Sequence, residues 1–187
     1  MTKEIPFLVA GAVSAFGFLA VPSLAQSAQC QLDISMPVEA TTDVCAVVEL
    51  SREWIEEGWS PKGDTESFSF ESDLERFYDP SAGMLVLHDT NDPEMRVMHD
   101  ARRYGENFET LLRQEPYLDN EWTSLEHVRV DGDTALIAFT ADAVFEDDAG
   151  SKIRVPHFYS LGWRRVDVGD WRIFHEHGSS MVPGEEE

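Results

Sequence analysis

The sequence predicts an α+β domain in which helices pack on one face of a curved antiparallel sheet. Three observations carry that reading. Helical periodicity is confined to stretches before Pro116, and strand-like alternation fills the remainder. Two tight-turn signals, Asp131-Gly132-Asp133 and Asp167-Val168-Gly169-Asp170, join the strand-like stretches into hairpins.

Each element follows from local chemistry. The first helix opens at Thr41, where Thr-Thr-Asp supplies capping side chains. It carries Val44, Val47, Val48, Leu50, Trp54 and Ile55 near a 3.6-residue period until Gly58 and Pro61 end it. SPKGDTESFS is a polar, turn-rich loop. In SDLERFYDP, Ser72 and Glu75 have capping-box spacing for a short helix bearing Leu74, Phe77 and Tyr78, stopped by Pro80. GMLVLHDT is a strand by composition. A second long helix covers about 100–113, with Tyr104, Phe108, Leu111 and Leu112 on one side. EWTSLEHVRV, TALIAFTADAVF, IRVPHFYSLGWRRV and WRIFHEH are four strands in succession.

A chain of 187 residues with 42% hydrophobic and 11% aromatic content can bury one ordinary core. Its formal charge of −22, with 14 Lys and Arg in all, leaves no basic stripe to neutralise phosphates. Nucleic acid is excluded as a partner on that ground, and an anionic membrane surface is disfavoured. No Ser-nucleophile motif, phosphate-cradling Gly loop or dinucleotide fingerprint occurs, and no cofactor is expected.

The ends differ from the middle. Residues 1–25 read as a signal peptide: Lys3, an apolar run over 5–20, and Ser23-Leu24-Ala25 at the cleavage point. The alternative is an uncleaved anchor, because the apolar run approaches the length of a span. Cleavage implies a periplasmic or secreted protein with no stable membrane insertion afterwards. Residues 26–38 form a tail, 39–180 the domain, and 181–187 an acidic C-terminal tail. In an oxidising compartment Cys30 and Cys45 have one intramolecular pairing, the alternative being two unpaired thiols. Closing the 14 intervening residues would contribute about 3 kcal/mol in the chain-entropy picture.

The strands are apolar on both faces. His157, Tyr159, Leu161 and Trp163 alternate with Phe158, and Ile137 and Phe139 with Leu136 and Ala138. A sheet with water on one side alternates more cleanly, so a second cover is expected, most simply another copy of the chain. In the closing DWRIFHEHGSS, strict alternation puts Trp171, Ile173, His175 and His177 on one face and Glu176 on the other.

ERFYDPSAGMLVLHD, VRVDGDTALIAFT and the ending WRIFHEHGS together resemble the SnoaL-like branch of the NTF2-like superfamily, with its ketosteroid isomerases and polyketide cyclases. The resemblance spans about 39–180. It implies a cone, a curved antiparallel sheet wrapped around helices with an internal pocket, and homodimers paired through the outer sheet face. It also implies a small, largely apolar organic ligand. On the isomerase pattern, Asp89 at the end of MLVLHD would be a general base, the alternative being a turn aspartate. The isomerase's first-helix tyrosine has no counterpart, and HFYSLGW holds no carboxylate. Tyr159, Ser160, His157 or an indole N–H would then supply hydrogen bonds to developing charge.

His175 and His177 complete the catalytic candidates, either as pocket hydrogen-bonding groups or as packed and surface residues. They are not expected to bind metal, because no second ligand-spaced motif accompanies them. Trp54, Tyr78, Tyr104, Phe108, Trp163 and Trp171 are expected to line the pocket. The expected activity is cofactor-free proton transfer of isomerase, cyclase or hydratase type. The alternatives are a non-catalytic ligand-binding module and a dimeric interaction protein.

Overall fold

A computed structural model describes residues 39–79, 97–147 and 149–180, and the backbone of 86–89. The expected leader, N-terminal tail, Cys30 and acidic tail all lie outside the described residues.

Helix α1 (Thr42–Glu53) is capped by Thr41, whose side chain accepts the Val44 N–H at 3.2 Å. The single helix expected up to Gly58 instead changes at Trp54 into a π turn, Trp54–Gly58. There the Trp59 N–H reaches the Trp54 carbonyl at 3.1 Å. This wider turn brings both indoles into edge contact, with ring centroids 6.3 Å apart. Such π turns recur at functional positions.

A short helix α2 (Phe70–Asp73) and a 3₁₀ turn (Glu75–Phe77) follow. The helix begins three residues earlier than the Ser72 cap spacing implies, with Ser69 at the N-cap position, and the Ser72 hydroxyl instead donates to Ser69 O. Strands β1 (Val86–Asp89) and β2 (Val97–Met98) precede α3 (Ala101–Leu112), which is capped by Asp100 accepting from the Arg103 N–H at 2.9 Å. Then come β3 (Leu118–Asp131), β4 (Thr134–Glu146), β5 (Lys152–Asp167) and β6 (Asp170–Ser180).

The six strands of the described residues form one sheet in the order β2-β1-β6-β5-β4-β3. The run β3 to β6 is antiparallel, and β1 returns beside β6 in parallel. The α+β architecture expected from the chain's order of elements is the one observed.

The core lies between the helices and the inner face of the sheet. Ile137, Phe139, Leu161, Trp163 and Ile173 are fully buried there against Val47, Trp54 and Ile55. Tyr159 and His157 belong to the same inner row of β5, whereas Leu136 and Phe158 emerge on the outer face, 47% and 37% exposed. Full burial of one such large apolar side chain is worth roughly 1.5–3 kcal/mol, so this face fixes the register.

One irregularity governs the functional end of the sheet. Between β5 and β6 the pairing slips: Trp163 lies opposite Ile173, but Gly162 lies opposite His175. Phe174 is the extra residue of a β-bulge, and alternation reverses across it. Trp171 and Ile173 face inward before the bulge, and Glu176 faces inward after it. The expectation that His175 and His177 share the face of Trp171 and Ile173 is therefore corrected. His177 pairs with Ser160 and His175 with Gly162, in the outer rows. Gly162 makes room for the bulge: a Cβ there would sit 3.0 Å from both the Phe174 ring and His175 Cβ.

Candidate functional site

A cavity of about 530 Å³ lies between the π turn, α3 and the inner face of β3 to β6, within the roughly 300–1,000 Å³ usual for small-molecule sites. Trp54 and Trp59 come from the π turn and Tyr104 and Phe108 from α3, one turn apart on a face. Tyr159 and His157 come from β5 and Glu176 from β6. Leu111, 57% exposed, marks the mouth.

Glu176 is the centre of the polar arrangement and is only 3% exposed. The Tyr78 hydroxyl donates to its Oε2 at 2.6 Å, and the Tyr104 hydroxyl donates to its Oε1 at 2.6 Å. These are the short distances of bonds to an ionised acceptor. The Trp54 indole N–H in turn donates to the Tyr78 oxygen at 3.1 Å. Four residues spread from 54 to 176 thus satisfy one another around a buried carboxylate, which offsets the cost of withdrawing its charge from water.

Burial holds the Tyr78 phenol well above its ordinary pKa, reinforced by the Glu176 charge and by the hydrogen bond to it. The indole N–H groups of Trp54 and Trp59 pull the other way. Among the described residues the Trp59 Nε1 itself meets no acceptor in hydrogen-bonding geometry.

The other polar walls are fixed from behind. His157 places Nδ1 2.8 Å from the Val155 carbonyl. A carbonyl only accepts, so Nδ1 carries the proton, and in the neutral ring Nε2 is the acceptor. The ring stacks on Tyr159 at 5.8 Å and 10°. Asn120 is buried, with its backbone N–H donating to Ser60 Oγ at 2.8 Å and its Nδ2 donating to the Trp59 carbonyl at 2.7 Å. That pair of bonds ties β3 to the π turn and holds Trp59 in place.

The structure gathers some of the expected residues and separates others. Trp54, Tyr104, Phe108 and Tyr159 line the cavity. Tyr78 stands one step behind the wall, reaching the site through Glu176. Trp163 and Trp171 do not line it, contrary to expectation. The Trp163 indole N–H is committed to Ser51 Oγ of α1 at 3.0 Å, and Trp171 lies buried beneath the Arg165 guanidinium, 4.3 Å from its ring.

His175 and His177 stand on the outer face, for the bulge reason given above. Burial first, then the neighbouring His177, holds the His175 pKa below its ordinary value. The backbone of Asp89 pairs with Gly178 beside Glu176 in the sheet, and its side chain lies outside the described residues. Among the described residues no group of three or more His, Cys, Asp or Glu could hold a metal ion, and no helix is long and apolar enough to cross a membrane.

Sequence reasoning missed Glu176, whose inward orientation depends on the bulge. One signal was present: Ile173 and Phe174 are consecutive apolar residues in an otherwise alternating strand. That is the mark of a change in parity.

Comparison with known proteins bears on the fold. A proposed dehydratase of the NTF2-like family from Streptomyces avermitilis superposes with a TM-score of 0.57 at 21% identity, over 75% of this chain and 98% of that one. A proposed calcium/calmodulin-dependent protein kinase II association domain from Xanthomonas campestris gives 0.54 at 22% identity, over 83% and 96%. A proposed ketosteroid isomerase from Shewanella frigidimarina gives 0.50 at 14% identity, over 72% and 94%. At these identities the likeness is one of fold. Among curated proteins none matches the sequence. The SnoaL-like domain model matches residues 74–183, more than half of the chain and including Tyr78, Tyr104 and Glu176. The protein belongs to the SnoaL-like domain family, on the NTF2-like fold.

Proposed function

We propose that the cavity binds a small, largely apolar organic molecule and that Glu176 moves a proton on it. The observation that carries this reading is a buried carboxylate, held by two tyrosine hydroxyls, on the wall of an aromatic cavity. A pre-positioned carboxylate can take a proton from a carbon beside a carbonyl or leaving group. The Tyr159 hydroxyl stands on the same cavity wall to meet the charge that develops. Asp89 remains the second candidate base, supported by the isomerase pattern and by its backbone register beside β6.

The test begins with mass spectrometry of molecules that co-purify with the native protein, followed by turnover assays on what is found. Glu176→Gln is expected to retain binding and to lower turnover by about 10²-fold or more. Turnover unchanged in Glu176→Gln but lost in Asp89→Asn would transfer the role to Asp89. Binding without turnover in the wild-type protein would make the cone a carrier.

We further propose export through cleavage after Ala25, a Cys30–Cys45 disulfide, and homodimerisation through the outer sheet face. Support for the disulfide is that Cys45 is not a free thiol. Support for the dimer is the exposure of Leu136 and Phe158 on adjacent strands of that face.

A further inference from the structure

We infer that the molecule taken up by this cavity is an organic cation, a protonated or quaternary amine carrying apolar substituents. The inference rests on the small-molecule reading of the cavity and narrows its chemistry.

The described lining includes six aromatic side chains: Trp54, Trp59, Tyr104, Phe108, Phe145 and Tyr159. They do not form one stack. Trp59 meets Tyr104 at 80° and Phe108 at 76°, and Trp54 meets Tyr159 at 82°. Rings set nearly at right angles make walls that turn around a common space. Each face carries the negative lobe of an aromatic quadrupole, and such boxes favour cations, quaternary ammonium groups above all.

The formal charge at the site has the same sign. The described lining contains two carboxylates, Glu176 on the wall and Glu115 near the mouth, and neither Lys nor Arg. Glu176 is held rigidly by Tyr78 and Tyr104, so its charge cannot swing away from an incoming ligand. In a buried, poorly screened site an anionic ligand would meet direct repulsion from it. A neutral ligand would gain from the apolar walls but not from the carboxylate. At long range the formal charge of −22 raises the local concentration of cations and depresses that of anions.

The test uses three near-isosteric probes on the full chain by titration calorimetry: choline, neutral 3,3-dimethyl-1-butanol and anionic 3,3-dimethylbutanoate. Choline is expected to bind at least about tenfold more tightly than the alcohol, and the carboxylate to bind weakest. Glu176→Gln should reduce that preference severalfold. The wild-type comparison stands even if the variant fails to fold.

Equal or tighter binding of the alcohol or the carboxylate overturns the inference while leaving the small-molecule reading intact. Failure of choline to bind also overturns it. If none of the probes binds and nothing co-purifies with the native protein, the small-molecule reading falls as well.

Discussion

Removing one hydroxyl and one charge from the Tyr78–Glu176 pair tests whether this buried contact holds the site together. Tyr78→Phe deletes the donor to Glu176 Oε2 and the acceptor for the Trp54 indole N–H, and both partners are buried. A hydrogen bond to a charged group is worth about 1.5–3 kcal/mol, and a neutral one about 1 kcal/mol. The single variant should therefore lose roughly 2–4 kcal/mol. Glu176→Gln keeps size and one carbonyl acceptor but removes charge assistance from both tyrosine bonds, and it also removes the cost of burying a charge. Its net loss should be smaller, about 1–2 kcal/mol.

Once the carboxylate is gone, deleting the Tyr78 hydroxyl has less left to break. The double variant should fall short of the sum by about 1–2 kcal/mol, within the range for residues in direct contact. Urea unfolding followed by circular dichroism measures all four corners of the cycle. In melting temperature the coupling amounts to about 2–8 °C, at roughly 2–4 °C per kcal/mol for a domain of this size.

A second readout is independent of stability. The Glu176 charge and hydrogen bond both hold the Tyr78 phenol up, so Glu176→Gln should bring its ionisation to lower pH in an ultraviolet titration. Burial, the larger cause, persists in the variant, so the phenol should stay above the ordinary tyrosine value. Additive losses within about 0.5 kcal/mol, together with an unmoved phenol titration, would refute the contact as described.

Three further outcomes are expected. Gly105→Ala should destabilise the protein by at least about 2 kcal/mol despite the gain in helix propensity. Its Cβ would lie 2.0–2.5 Å from three carbons of the Phe70 ring, and a variant as stable as wild type would contradict that packing of α3 against α2. Phe158→Asp should convert a dimer into monomers in sedimentation at micromolar concentration, where a standard interface removes about 800 Å² per partner; a wild-type monomer under those conditions would reject the proposed face. Intact-mass measurement before and after reduction should give a chain starting at Gln26 with a mass gain of about 2 Da on reducing Cys30–Cys45, whereas a retained leader or two alkylated thiols would contradict it.

The sequence by itself determined the order of elements and the inner face of the central strands. Ile137, Phe139, Leu161 and Trp163 recur at the two-residue period of a strand, and a one-residue slip would put all of them in water. Asp131-Gly132-Asp133 likewise marked the hairpin that joins β3 to β4, because tight turns need residues tolerant of positive φ.

Only the tertiary structure decided which residues make the site. Glu176 faces inward because the Phe174 bulge reverses alternation, a choice made by packing β6 against Gly162 of β5. Trp59 joins Trp54 because the helix widens into a π turn, which Asn120 holds from β3. Tyr78 and Glu176 stand 98 residues apart in the chain. Local periodicity records how a segment meets its own neighbours, whereas a buried carboxylate survives only where distant donors converge on it.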